Sequence, residues 1–269
     1  MARIDATARV ADGAKVAASA EIGPFCVVGP AAELRDGVRL LSHVCVDGVT
    51  TIGERTVVHP FSVLGSAPQS TGYKGEPTKL AIGADCTIRE AVTICTGTVE
   101  GRGITTVGDR GYFMAYSHIA HDCQVGNDVT FANGGTLGGH VVVGDFTFIG
   151  GMSAVHQFVR IGPHAMIGGM SGQSGDVIPF GITHGNFAKL RGINLVGMRR
   201  RKFSAETIRS VRTAFRRLFY GEGAMEQRME AVAKDFAGED AVMQVVDFIR
   251  GSRDRELCRP DVRAAAEAE

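Results

Sequence analysis

From Ile4 to Leu64 an apolar side chain stands at every sixth position, through Val10, Val16, Ile22, Val28, Leu34, Leu40, Val46, Ile52 and Val58. The beat resumes at Ile82, Ile88 and Ile94. It then runs from Val107 through Phe113, Ile119, Val125, Phe131, Leu137, Val143, Ile149, Val155 and Ile161 to Ile167, which makes 25 positions in all. Such a spacing fits neither an α-helix nor a freely alternating strand. It fits a solenoid in which each flat face uses one hexapeptide and turns one apolar side chain inward. Three faces close a triangular coil of about 18 residues, and successive coils stack as parallel sheets at about 4.8 Å. Each inward residue is buried only against the coils above and below, so stability is roughly additive along the stack. Small residues are expected to crowd the sharp corners, in keeping with 36 Gly and no Trp.

The predicted fold class is therefore β: a hexapeptide-repeat parallel β-helix over residues 1–190, followed by a small α-helical C-terminal domain over 191–269. The solenoid is broken twice. Residues 65–81 (GSAPQSTGYKGEPTKLA) are too long for a corner and must protrude, and loops ejected from a rigid scaffold often carry function. Residues 96–106 (TGTVEGRGITT) form a shorter break. After Ile167 the phase fails, and 172–191, with Pro179, reads as an irregular closing segment. From Ser204 the period turns helical. Ser204 is a candidate N-cap with Glu206 in the first turn, and Ile208, Val211, Phe215, Leu218 and Phe219 form an apolar stripe ending at Gly221. A second helix is expected near 224–236 and a third near 239–250, with Val242, Val245, Val246 and Ile249 inward. Residues 263–269 read as a frayed end.

The 269-residue chain balances 29 basic against 29 acidic residues, with 44% hydrophobic content. It has no export signal and no apolar run long enough to span a membrane, so a cytoplasmic site of action is expected. Its six Cys show no C-x-x-C pair, which argues against a zinc ribbon or a disulfide framework. Charge is uneven locally: between Arg191 and Arg217 nine basic residues face one acid, Glu206, for a net +8. The cluster Arg199 to Lys202 lies at the domain junction, where guanidinium groups could hold a phosphate-bearing ligand or an acidic protein. Nucleic acid is the weaker reading, because no aromatic residues are interleaved for base stacking.

Five of the eight His lie between residues 118 and 164. Residues one coil apart stack, so His121 shares a column with Gly139 and Gln157, flanked by His140 and His156. An imidazole suits general-base chemistry near neutral pH, which nominates His121. Asp122 beside it could orient or charge-stabilise the ring. Gly139, lacking a side chain, could bring its backbone N–H to a developing oxyanion. His118, His140 and His156 could then position substrate. Metal binding is the rival chemistry for such a cluster, and a solvated corner His the bland one.

The strings SHIAHDCQVGN (from Ser117), GGTLGGHVVVGDF (from Gly134), IGGMSAVHQFVRIG (from Ile149) and GYKGEPT (from Gly72) resemble the UDP-N-acetylglucosamine O-acyltransferases that begin lipid A biosynthesis. The likeness extends over nearly the whole chain, including IGPFCVVGP, GINLVGMRRRKFS and the helical tail opening FSAETI. It implies a left-handed parallel β-helix forming a homotrimer with sites between subunits. The implied reaction carries an (R)-3-hydroxyacyl chain from acyl carrier protein to the glucosamine 3-position of a UDP-sugar, with no cofactor and no metal. On this resemblance His121, Asp122 and Gly139 match base, acidic partner and oxyanion donor. His118, His140, His156 and Gln157 match substrate contacts, Asn194, Arg200 and Arg201 lie near the nucleotide, and Gly169 limits acyl length by leaving room for a chain longer than about ten carbons. Gln69 and Ser70 of the protruding loop join the substrate-binding set.

Two departures stand out. Where the family commonly reads P-Q-D-L-K-Y, this chain reads Pro68-Gln69-Ser70-Thr71-Gly72-Tyr73, and Val196 replaces a frequent acid. The missing acid lies near the acceptor's reactive position, so N-acylation of a 3-amino-3-deoxy sugar is an alternative. A γ-carbonic-anhydrase-like metalloenzyme and a non-catalytic scaffold are the readings from other classes.

Overall fold

The structure is a computed structural model that describes residues 1–251 and 254–261. Short strands stack into three sheets of eleven, nine and eight strands, and the chain visits them in turn. Apart from a closing hairpin every pairing is parallel, with Ile4 over Ile22 and Val28 over Val46 at the 18-residue offset of one coil. The offset grows where the solenoid is broken: Val57 pairs with Thr87, and Thr87 with Tyr112. Both breaks are narrower than the sequence suggests. Strands Val63–Ser66, Lys79–Ile82 and Ile104–Val107 run into them, leaving loops at 67–78 and 96–103.

Of the 25 periodic residues, those from Ile22 to Ile167 are buried in one continuous column, while Ile4, Val10 and Val16 lie at the thinner N-terminal end. Full burial of each such side chain contributes roughly 1.5–3 kcal/mol. Phe113 and Phe131 are among the largest side chains in the column, and their rings lie 5.3 Å apart.

The corners differ from expectation. Bulky residues occupy the left-handed backbone conformation there, among them Phe25, Arg55, Asp122, His140, Phe158 and His164. Except for Asp122, whose side chain is buried, their side chains point outward and pack against the next coil, which offsets the cost of a positive φ. Phe146, His164 and Phe180, for instance, form a continuous stack. Many glycines serve close approach instead: a Cβ at Gly108 or Gly126 would collide with the coil above.

The segment 172–191 is ordered, which corrects the reading of an irregular closure. Gly172–Gln173 extends the nine-stranded sheet, Val177 bridges to Ile161, and Thr183 pairs with Ile167. The coil was hidden because its inward positions hold polar residues, Gln173 and Thr183, both buried. Gly181–His184 then pairs antiparallel with Lys189–Ile193.

Four helices follow among the described residues: α1 (Leu195–Arg200), α2 (Ala205–Tyr220), α3 (Met225–Asp235) and α4 (Asp240–Arg250). The sequence reading missed the short α1. The others fall where expected, with the Ser204 hydroxyl accepting from the Thr207 N–H. Their apolar faces form a second core around Met198, Phe215, Leu218, Val246 and Ile249. Arg160 ties this core to the solenoid. It bonds Asp176 at 2.8 Å, lies over the Phe248 ring and donates to the Phe248 carbonyl. The expected frayed end at 263–269 lies outside the described residues.

Candidate active site

Both protruding loops leave the solenoid at one corner, between the nine-stranded and the eight-stranded sheet. Higher up, the same corner carries His121–Asp122, then Gly139–His140, then His156–Gln157. Coil stacking thus brings segments distant in sequence into one vertical strip.

At its centre His121 Nδ1 lies 2.9 Å from Asp122 Oδ2. The Asp122 side chain is wholly buried, and its carboxylate also accepts from the Thr98 hydroxyl at 2.6 Å, the Thr98 N–H at 3.0 Å and the Arg102 N–H at 2.8 Å. Burial alone would raise its pKa. The hydrogen bonds from Thr98, His121 and Arg102 outweigh that and hold it below the ordinary carboxylate value. A carboxylate cannot donate, so His121 Nδ1 carries the proton and Nε2 keeps its lone pair. That is the tautomer a general base needs.

Gly139 lies directly over this ring. A methyl group placed on it would fall 2.6 Å from Cε1 and 2.7 Å from Nε2 of His121, so only glycine fits. Its backbone N–H has no acceptor among the described residues and is free for a ligand. His140 meets His121 edge-on, with ring centroids 5.0 Å apart, and stacks flat on Phe158 at 4.4 Å. Burial lowers the pKa of His140, and Asp122 opposes the shift. His118 bonds Thr93 Oγ1 at 2.7 Å; burial first, and then the neighbouring His121, depress its pKa.

One coil on, the exposed His156 accepts through Nδ1 from Arg255, which also donates to the Gln157 carbonyl. The first protruding loop stands by the second: a methyl on Gly72 would lie 3.8 Å from both Glu100 and Ser70 Oγ. Gln69 is exposed and Ser70 half-buried.

The remaining nominated residues lie elsewhere. Gly169 is exposed on the corner between the eleven- and nine-stranded sheets, where a methyl on it would fall 3.3 Å from the Gly151 carbonyl oxygen. Asn194 caps α1 through Gly197 N–H and donates to the His164 carbonyl. Arg201 covers the Phe146 ring at 4.2 Å on the third corner, and Arg200 beside it is exposed. One chain therefore carries its nominated residues on three divergent corners. Sequence reasoning missed Thr98 and Arg255. Thr98 sits in an insertion that defeats coil arithmetic, and Arg255 reaches the strip from the far end of the chain.

His121, Asp122 and His140 could in principle ligate one metal ion. The donor set argues against it, since Asp122 already satisfies three backbone or side-chain donors besides His121 and a cation would have to displace them.

Residues 176–258 match the model described as UDP N-acetylglucosamine O-acyltransferase, domain 2. The chain is 52% identical over 260 residues to the acyl-[acyl-carrier-protein]–UDP-N-acetylglucosamine O-acyltransferase of Azorhizobium caulinodans, covering 97% of this chain and 96% of that one. It is 46% identical to the protein of the same name from Rhizobium johnstonii over 96% and 95% of the two chains. Among solved structures, UDP-N-acetylglucosamine O-acyltransferase from Moraxella catarrhalis superimposes with a TM-score of 0.92 at 38% identity, covering 95% of this chain and 99% of that one. The solenoid is accordingly the left-handed form of the parallel β-helix.

Proposed function

The chain belongs to the UDP-N-acetylglucosamine O-acyltransferases, and from that premise we propose that it carries an (R)-3-hydroxyacyl chain from acyl carrier protein to the 3-hydroxyl of UDP-N-acetylglucosamine, the first step of lipid A biosynthesis. The observation that carries the mechanism is the pairing of His121 Nδ1 with a buried, ionised Asp122 while Nε2 faces Gly139. Nε2 takes the proton of the sugar hydroxyl as its oxygen attacks the thioester carbonyl. The carbonyl electron pair moves to oxygen, and the Gly139 N–H donates to that oxyanion. One such donor is worth about 3–4 kcal/mol in the transition state. Collapse re-forms the carbonyl, breaks the C–S bond and releases the carrier thiol, which receives its proton from the His121 imidazolium. Asp122 stabilises that imidazolium throughout.

His118, His140, His156, Gln157, Gln69 and Ser70 are read as acceptor and acyl contacts on the same corner. Asn194, Arg200 and Arg201 are read as nucleotide contacts, and Gly169 as the floor of a site for an acyl chain longer than about ten carbons. A single chain presents these sets on different corners of one filled prism, which supports a homotrimer whose sites lie between copies. In this division of labour the β-helix of residues 1–190 performs catalysis. The helical domain of 191–269 presents exposed cations, Arg199, Arg200, Arg209, Arg212 and Arg216, to the diphosphate and the acidic carrier protein. No helix among the described residues is long and apolar enough to cross a membrane. A cytoplasmic location accords with that and with a carrier-borne donor.

The relatives favour oxygen over nitrogen as the acceptor despite Ser70. The test is acyl transfer from 3-hydroxyacyl carrier proteins of several lengths to UDP-N-acetylglucosamine and, in parallel, to its 3-amino analogue. Ester formation on the hydroxyl sugar is expected. Transfer to the amine alone would overturn the assignment.

A further inference from the structure

The second break of the solenoid, 96–103, wraps the Asp122 carboxylate. Thr98 stands at the centre of this wrap. Its hydroxyl donates to Asp122 Oδ2 at 2.6 Å and accepts from the Gly101 N–H at 3.1 Å, while its own N–H reaches both carboxylate oxygens at 3.1 and 3.0 Å. Its carbonyl accepts from Gly103 at 2.9 Å, closing the loop on itself. Arg102 N–H completes the ring of donors at 2.8 Å. From below, the Thr105 hydroxyl accepts from the Asp122 N–H at 2.9 Å, fixing a residue whose φ is +61°. Gly101 packs so closely that a methyl on it would fall 2.5 Å from the carboxylate carbon, and a methyl on Gly97 would fall 2.8 Å from Oδ1.

We infer that Thr98 is a positioning residue for the acyl transfer: through its hydroxyl and N–H it locks Asp122 in the one orientation that presents Oδ2 to His121 Nδ1. This rests on the reading of His121 as the base. Coil arithmetic gives the inserted loop no structural task in the core, since Ile94 and Val107 are already inward without it. Its backbone donors instead converge on a carboxylate that burial would otherwise drive toward protonation. A carboxylate free to rotate would break its bond to Nδ1 in some fraction of molecules and release the ring from the catalytic tautomer.

The experiment compares Thr98→Val, Thr98→Ser, His121→Ala and Asp122→Asn in steady-state acyl transfer to UDP-N-acetylglucosamine, with thermal melting of each variant as a folding check. Thr98→Val is expected to lower kcat about tenfold or more with KM nearly unchanged, as loss of a hydrogen bond to a charged group would. Thr98→Ser, which keeps the hydroxyl, is expected to retain most of the activity. In the Asp122→Asn background Thr98→Val should add little, because both changes act through the same carboxylate. Should valine unfold the chain, Thr98→Ala removes the same hydroxyl and is held to the same pattern. Full activity of a folded Thr98→Val or Thr98→Ala, or an equal loss in the Asp122→Asn background, would overturn the inference while His121→Ala remained inactive. An active His121→Ala would instead remove the underlying assignment of the base.

Discussion

Arg255 donates to Nδ1 of His156 at 2.8 Å across 99 residues of sequence, so the segment around Arg255 is pinned onto the corner that carries the candidate site. Backbone bonds hold this strap further: the Asp176 N–H donates to the Glu256 carbonyl and the Asp176 carbonyl accepts from the Cys258 N–H, on either side of the Leu257 bridge, and Leu190 donates to the Arg259 carbonyl. Because guanidinium can only donate, Nδ1 of His156 is an acceptor in this bond and its proton sits on Nε2. Replacing Arg255 with Gln should free this ring and raise KM for the sugar nucleotide several-fold with a smaller change in kcat. Initial-rate kinetics check it, and an unchanged KM would detach the strap from substrate binding.

Gly139→Ala should be nearly inactive. The added methyl would sit against Nε2 of His121, displacing either the base or the N–H above it, and loss of an oxyanion donor alone costs about a hundredfold or more in kcat. Melting should change little, since the corner can give without disturbing the buried Leu137 or Val141. Single-turnover acyl transfer reads the effect.

Asp122→Asn should lower kcat by about a hundredfold or more while leaving the fold intact. The carboxylate accepts from Thr98, Arg102 and His121 together, whereas an amide can satisfy these donors with only one oxygen. Its NH2 group would face a donor or favour the wrong His121 tautomer. A variant retaining near-parental kcat would show that the carboxylate is dispensable.

Acid should loosen the junction between solenoid and helices before it unfolds the coils. His164 is stacked between Phe146 and Phe180, with Phe203 edge-on, and its Nδ1 is buried with no hydrogen-bond partner among the described residues. Burial, and then the nearby Arg201, push its pKa from 6.5 down to about 4, against the pull of Asp145. Between those values the unfolded chain binds more protons than the folded one, so stability rises with pH there and is lost as pH falls from 6.5 toward about 4. Thermal melting across that range checks the sign, and His164→Phe should flatten the slope.

The solenoid was legible because one inward residue per face repeats without error over most of its length, and the strip of His121, Gly139 and Gln157 followed from counting coils. The last coil was not legible: Gln173 and Thr183 fill inward positions with polar side chains, so the apolar beat stops before the fold does. Helix α1 escaped because it offers little apolar periodicity around the buried Met198 and sits inside a basic run. Thr98 and Arg255 escaped for another reason. Their contacts to Asp122 and His156 cross 24 and 99 residues, separations no 18-residue repeat encodes. The corners were misjudged because a left-handed turn needs a positive φ rather than a small side chain, and outward stacking of Phe, His and Arg satisfies it.

The most direct test of the account is the rate of (R)-3-hydroxyacyl transfer from acyl carrier protein to UDP-N-acetylglucosamine by the parent chain and by His121→Ala, at saturating substrates and equal folded concentration. The account predicts ester formation by the parent and a fall in kcat of at least about a hundredfold in the variant, the scale of general-base catalysis. A variant that transfers at the parental rate would contradict it.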